Sequence, residues 1–174
     1  MTRYGMLINT KKCVGCYACR TACQRQNGLP AELDFIRYEE QETGTYPLVG
    51  IETIPLQCMH CEDAPCAKVC PTGATYITDE GIVRVNEERC IGCKYCYQAC
   101  PYEVPQYNSV SMDKCDCCQK AGVELGEEDP YCVRACKFGA LKFGPLDELL
   151  EATNGSAVPI AELNDPSCLV LGTE

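Results

Sequence analysis

Eighteen of the 174 residues are cysteine, and sixteen of these fall into four runs of four. The first run is Cys13, Cys16, Cys19 and Cys23, spaced C-x2-C-x2-C-x3-C. The second is Cys58, Cys61, Cys66 and Cys70, with four residues between its second and third members. The third, Cys90, Cys93, Cys96 and Cys100, repeats the first spacing. In the fourth, Cys115, Cys118, Cys132 and Cys136, a 13-residue stretch separates two pairs. Cys117 and Cys168 are left over. A chain this rich in thiols is organised either by disulfides or by metal. Disulfides belong mostly to small secreted domains in oxidising compartments. The segment MTRYGMLINTKKC has no apolar h-region, no small-residue cleavage site and no twin-arginine pair, so no export signal of its own is expected. The spacing therefore has to say which metal.

Three thiolates in C-x2-C-x2-C wrap three corners of an iron–sulfide cube with one tight loop. The fourth cysteine, three residues further on, leads away from that loop. It ligates the other cluster of a two-cluster module, as in bacterial ferredoxin runs that end in C-P. Pro71 follows Cys70 and Pro101 follows Cys100, so the second and third runs carry this ending. They are expected to exchange fourth ligands, giving Cys58, Cys61, Cys66 with Cys100, and Cys90, Cys93, Cys96 with Cys70. The first and fourth runs remain to pair with each other, as Cys13, Cys16, Cys19 with Cys136 and Cys115, Cys118, Cys132 with Cys23. Neither ends in C-P: Gln24 follows Cys23 and Lys137 follows Cys136. Zinc also takes C-x2-C pairs, but as two pairs rather than three ligands in one loop and a distant fourth. In Cys115-Asp116-Cys117-Cys118 either of the last two could be the ligand; the period favours Cys118 and leaves Cys117 a free thiol nearby. Cys168 reads as an ordinary small residue. His60, inside the second run, could in principle replace a thiolate. With sixteen thiolates present, packing or a hydrogen bond is the expectation for it.

Fifteen basic against twenty-five acidic residues give a net charge of −10. Nucleic-acid binding, which needs clustered Lys and Arg, is not expected. No run approaches the roughly 18 apolar residues of a membrane span. The expected fold is α+β: two nested bacterial-ferredoxin-like modules, with short strands, short helices and long loops around four clusters. Tyr4–Asn9 and Ile51–Pro55 read as strands entering the first two runs, and Thr75–Val85 as a hairpin turning at Asp79-Glu80-Gly81. Short helices are expected over Tyr17–Arg25 and Lys94–Ala99, and a closing strand over Ala140–Phe143. The inner module, residues 50–108, is inserted into an outer one made of residues 1–49 and 109–144. Residues 145–174 form a C-terminal helix, Leu146–Ala152, and an extended tail along a surface or a partner. Asn27–Pro47 reads as a long connecting loop and a partner contact.

The segments Cys58-Met-His-Cys61-Glu-Asp-Ala-Pro-Cys66, Val69-Cys70-Pro71-Thr72-Gly73-Ala74 and Cys90-Ile-Gly-Cys93-Lys-Tyr-Cys96 with Ala99-Cys100-Pro101-Tyr102 carry a close resemblance. They are similar to the four-cluster electron-transfer subunits of complex iron–sulfur molybdoenzymes. These include the small subunits of dimethyl sulfoxide, polysulfide, thiosulfate and arsenate reductases and of formate dehydrogenases. The resemblance implies four [4Fe–4S] clusters and a non-catalytic role as conductor. The implied partners are a large molybdenum- or tungsten-bis-pterin catalytic subunit and a quinol-linked integral-membrane subunit. It also implies an order from the catalytic subunit outward: the sets completed by Cys136, by Cys23, by Cys100 and by Cys70. Where the nitrate reductase branch has tryptophan, this chain has Cys93, so no three-iron cluster is expected. Lys137 stands where proline is usual, and a cation beside Cys136 would raise that cluster's reduction potential. Such a chain works in the cytoplasm, or is exported folded with a signal-bearing catalytic partner. Two other readings stay open: a polyferredoxin-type subunit of a hydrogenase or formate-linked complex, and a zinc-holding structural protein.

Four clusters in 174 residues leave little room for an independent hydrophobic core. Ligation must then supply much of the folding free energy. Removing the iron with a chelator under anaerobic, reducing conditions is expected to abolish most of the far-ultraviolet circular dichroism. A native spectrum without iron would refute this.

Overall fold

The computed structural model describes residues 2–172. Ten strands and five helices, all short, follow in chain order. β1 (Tyr4–Asn9) and α1 (Ala18–Gln26) precede the hairpin of β2 (Arg37–Thr45) and β3 (Leu48–Leu56). α2 (Pro65–Lys68), β4 (Thr75–Ile77), β5 (Val83–Val85) and α3 (Tyr95–Ala99) make up the middle of the chain. β6 (Gln106–Tyr107), β7 (Met112–Asp113) and α4 (Tyr131–Ala135) lead to β8 (Leu141–Pro145) and α5 (Leu146–Ala152), and β9 (Val158–Pro159) and β10 (Cys168–Leu171) end it. No helix among the described residues is long and apolar enough to cross a membrane.

One four-stranded sheet, ordered β8-β1-β10-β9, organises the molecule. β1 runs antiparallel to β8 and parallel to β10, with Met6 opposite both Phe143 and Cys168. Its apolar run Met6-Leu7-Ile8 is buried on both faces, which explains why it lacks strict alternation. Met6 and Ile8 face the large core that contains most of the buried cysteines. Leu7 faces the other way, into a small apolar layer with Leu149, Ala157 and Leu169, closed by α5. The sheet is thus a partition between a cysteine side and a purely apolar side.

Two expectations need correction. Residues 27–47 are not simply a loop: β2 pairs antiparallel with β3 along nine residues, from Arg37 opposite Leu56 to Thr45 opposite Leu48. β2 reads RYEEQETGT, rich in residues depleted from strands, and nearly all of it is exposed. It is held by its ladder to β3 and buries no face of its own, so no apolar period marks it in the sequence.

The C-terminal segment is not a tail along the surface either. β10 lies between β1 and β9, with Cys168, Leu169 and Val170 buried. Just before it, Ser167 donates its backbone N–H to the Met59 carbonyl and its hydroxyl to the His60 carbonyl, each at 2.8 Å. Arg3 Nε reaches the same hydroxyl at 2.8 Å. The end of the chain therefore clasps the loop of the second cysteine run. Only four residues long, β10 is too short to stand out by pattern. The elements that the sequence does place lie within a residue or two of their expected bounds, except β3, which extends three residues further back into the hairpin; α2, α4, β6, β7 and β9 have no counterpart in the sequence reading.

Leu169→Ala is expected to cost about 2–5 kcal/mol, because it opens a cavity on the apolar side of the sheet. Leu48→Ala, at a position 83% exposed on the hairpin, should change stability by less than about 0.5 kcal/mol. Anaerobic urea titration of the holoprotein, following loss of the iron–sulfur absorbance, separates the two.

Candidate iron–sulfur centres

The four cysteine runs share one local device. The residue before the second cysteine of each run has a left-handed backbone: Gly15 (φ 63°), His60 (φ 43°), Gly92 (φ 66°) and Cys117 (φ 57°). This turn lets both cysteines of a C-x2-C pair point to the same side. Glycine takes the conformation without strain, whereas histidine and cysteine take it at a cost of about 1–2 kcal/mol. Cys118 is left-handed too (φ 64°), unlike Cys16, Cys61 and Cys93, so the turn alone does not separate Cys117 from Cys118. A second device follows the fourth cysteines. Gly73, Glu103 and Gly139 are left-handed, and each donates its N–H back to the carbonyl of Cys70, Cys100 or Cys136, at 3.1–3.2 Å. The fourth run makes this turn without the proline of the other two.

Helix packing then decides which runs meet. α1 packs against α4 and α2 against α3. Cys13, Cys16, Cys19 and Cys136 line one small pocket, together with Tyr38, Pro55 and Phe138. Cys23, Cys115, Cys118 and Cys132 line another, which Cys117 also borders. Burial, then the neighbouring thiolates of Cys58 and Cys100, push the Cys61 thiol up to about 12. Cys66 is raised to about 12 by burial and by Cys58, Cys100 and Cys61. Around Cys96, burial and the thiolates of Cys90, Cys70 and Cys93 act in the same direction. Each of the four groups thus contains three cysteines of one run and the last cysteine of another.

Spacing within the groups identifies the kind of guest. Four sulfurs around a single zinc ion at about 2.3 Å must lie about 3.8 Å from one another. Among the described residues, no three of these sixteen sulfurs lie mutually within 4.8 Å. They are too far apart to close on one ion as they stand, the direction a larger polynuclear centre requires. The one compact trio is His60, Cys115 and Cys117, and hydrogen bonding accounts for it. Cys117 donates to Cys115, which holds the Cys115 thiol well below its ordinary value and keeps Cys117 protonated. His60 Nδ1 accepts the Val83 N–H at 3.0 Å, so its proton sits on Nε2, 3.4 Å from Cys117 Sγ.

Raised thiols mean that protons compete with metal for these sulfurs. Metal uptake must expel those protons, so falling pH favours release of the iron.

The surroundings supply donors to the sulfurs. Backbone N–H groups of Thr75, Met112 and Ala140 reach Cys70, Cys90 and Cys136 at 3.2–3.4 Å. Tyr38 Oη lies 3.1 Å from Cys19 Sγ, and Asn27 Nδ2 lies 3.6 Å from Cys23 Sγ. Lys114 Nζ reaches Cys58 Sγ at 3.5 Å. Burial opposes its charge, but Cys58, Cys115 and Cys66 outweigh that and hold the lysine above its ordinary value. An uncompensated buried ion costs several kcal/mol. A negative charge about 4 Å away returns about 4 kcal/mol at an effective dielectric of about 20. The two are of one order, so this lysine depends on its sulfurs. Lys137, by contrast, is exposed, and water screens its effect on Cys136. Tyr38, Asn27 and Lys114 have no motif in the sequence; only the adjacency of Lys114 to Cys115 hinted at a role.

A fold of short elements wrapped around grouped thiolates defines a ferredoxin-like iron–sulfur protein holding [4Fe–4S] clusters. The 4Fe-4S dicluster domain family matches residues 12–74 and again residues 49–146, and this protein belongs to it. The B subunit of the anaerobic dimethyl sulfoxide reductase of Escherichia coli strain K12 is 40% identical over 172 residues, covering 93% of this sequence and 82% of its own. Its counterpart of the same name in Haemophilus influenzae is 38% identical over 185 residues, covering 98% and 89%. The thiosulfate reductase electron transfer subunit PhsB of Salmonella typhi is 41% identical over 150 residues, covering 84% and 78%.

Cys117→Ala is expected to retain all iron. Cys118→Ala is expected to lose one cluster, about four iron atoms per chain. Iron and sulfide analysis of the two purified variants decides between the adjacent thiols.

Proposed function

We propose that this chain is the electron-transfer subunit of a reductase complex and relays single electrons through four [4Fe–4S] clusters. The proposed ligand sets are Cys13, Cys16, Cys19 and Cys136; Cys115, Cys118, Cys132 and Cys23; Cys58, Cys61, Cys66 and Cys100; and Cys90, Cys93, Cys96 and Cys70. The observation that carries this reading is the sorting of sixteen sulfurs into four groups, each too open for a single ion. The clusters supply one-electron redox chemistry, and the protein sets its potential by burial, sulfur hydrogen bonds and local charge.

The groups also form a series. Cys19 of the first raises the thiol of Cys132 in the second, and Cys115 of the second acts on Cys58 of the third. α2 carries Cys66 of the third and leads straight to Cys70 of the fourth. This order agrees with an outer module, residues 1–49 and 109–144, surrounding an inner one, residues 50–108. Residues 145–172 complete the outer sheet through β10, so the outer module extends further than its cysteines.

The partner we propose is a large molybdenum- or tungsten-pterin catalytic subunit, as the names of the related reductase subunits suggest, with a quinol-linked membrane subunit at the far end of the series. The partner's own site selects the substrate. The β2–β3 hairpin is a fitting contact: Leu48, Val49 and Ile51 are exposed on it, and Val14 and Phe138 are exposed around the first group.

The test is metal analysis of the complex isolated anaerobically through a tag on this chain. About sixteen iron atoms per chain with molybdenum or tungsten in a co-purifying large subunit is the expected result. Nickel in place of these would move the protein to a hydrogenase, and zinc in place of iron would refute the relay. In the same isolation Leu48→Asp should reduce recovery of the large subunit and leave the iron content unchanged.

A further inference from the structure

Lys114 is the only buried lysine or arginine among the described residues. Its Nζ donates to Cys58 Sγ at 3.5 Å, to the Cys115 carbonyl at 2.9 Å and to the Val83 carbonyl. Among the described residues, no carboxylate comes within 4.0 Å of it. Its acidic neighbours in the chain are engaged elsewhere. Asp113 accepts the backbone N–H of Lys114 and lies 3.7 Å from Lys120 Nζ, and Asp116 accepts the backbone N–H of Lys120. A buried ammonium without a carboxylate needs another counter-charge, and among the described residues Cys58 Sγ is the only side-chain acceptor it has. An apolar side chain of similar volume would fill the same space at lower electrostatic cost.

The three acceptors come from different parts of the molecule. Cys58 belongs to the third ligand set, Cys115 to the second, and Val83 to β5 in the inner module. The ammonium therefore sits at the seam where the series passes from the outer module to the inner one. We propose that Lys114 is a positioning residue whose fixed positive charge favours an electron at this crossing. The proposal rests on the ligand sets proposed above. Reduction adds one negative charge behind Cys58 Sγ, and an ammonium already hydrogen-bonded to that sulfur stabilises it with no proton transfer and no rearrangement.

The experiment is a redox titration of the intact complex followed by electron paramagnetic resonance, with Cys58→Ser used to identify the signal of the third set. Lys114→Gln keeps a hydrogen-bond donor and removes the charge; Lys114→Arg keeps the charge. At the native midpoint, Lys114→Gln is expected to lower the ratio of reduced to oxidised centre at least tenfold, a downward shift of about 59 mV for a one-electron step. Lys114→Arg should stay within about threefold of native. An unchanged titration in Lys114→Gln overturns the proposal. If that variant does not assemble, the native complex labelled with 15N-lysine provides the second measurement. A 15N coupling on the Cys58-dependent signal is expected, and its absence overturns the proposal. If Cys58→Ser leaves every signal in place, the ligand sets are wrong, and the role of Lys114 falls with them.

Discussion

Gathering four thiolates beneath a protein surface costs electrostatic energy that only bound metal can return. The whole chain is arranged around that requirement. Burial and mutual repulsion hold Cys23, Cys61, Cys66 and Cys132 as neutral thiols until iron displaces their protons. The short helices hold few turns, and the loops between them bury cysteines where an ordinary domain of this size would bury leucine and valine. Stability and redox function therefore rest on the same bonds.

Protein groups around the sulfurs refine what the ligands begin. Backbone N–H donors at Cys70, Cys90 and Cys136 follow from the turns that bring the chain past each ligand. Side-chain donors join them: Tyr38 from the hairpin and Lys114 from beside Cys115 reach sulfurs far off in the chain, and Asn27 at the end of α1 turns back to Cys23. Of Lys114 and Lys137, each next to a cysteine of the runs, the buried one carries the larger influence, because water screens Lys137 and is largely excluded from Lys114.

The four-stranded sheet has a different task. It separates the cysteine-rich core from a small apolar layer of Leu7, Leu149, Ala157 and Leu169. Alternation along β1 and β10 sends Met6 and Cys168 to one side and Leu7 and Leu169 to the other. Through Ser167 and Arg3, the two ends of the chain meet over the second cysteine loop. The segment with no cysteine run thereby fixes the position of one that has.

Cysteine spacing was enough to indicate the cofactor class, and short-range signals placed about half of the elements of an α+β fold. Local geometry makes them legible: a C-x2-C loop has few conformations that aim both sulfurs one way, and the Asp79-Glu80-Gly81 turn and the Pro145 helix start are short-range signals. Which of Cys117 and Cys118 faces a metal group was not decided by period alone. Both have left-handed backbones; the hydrogen bonding of Cys117 to His60 and Cys115 sets it apart, and that contact is not written in the letters. The β2–β3 ladder and the place of β10 in the sheet were also hidden. One has no buried face to impose a pattern, and the other is a four-residue strand whose meaning comes from its neighbour β1. The donors Tyr38 and Lys114 became visible only when distant segments packed together, because a hydrogen bond to a sulfur depends on where a side chain ends and not on where it begins.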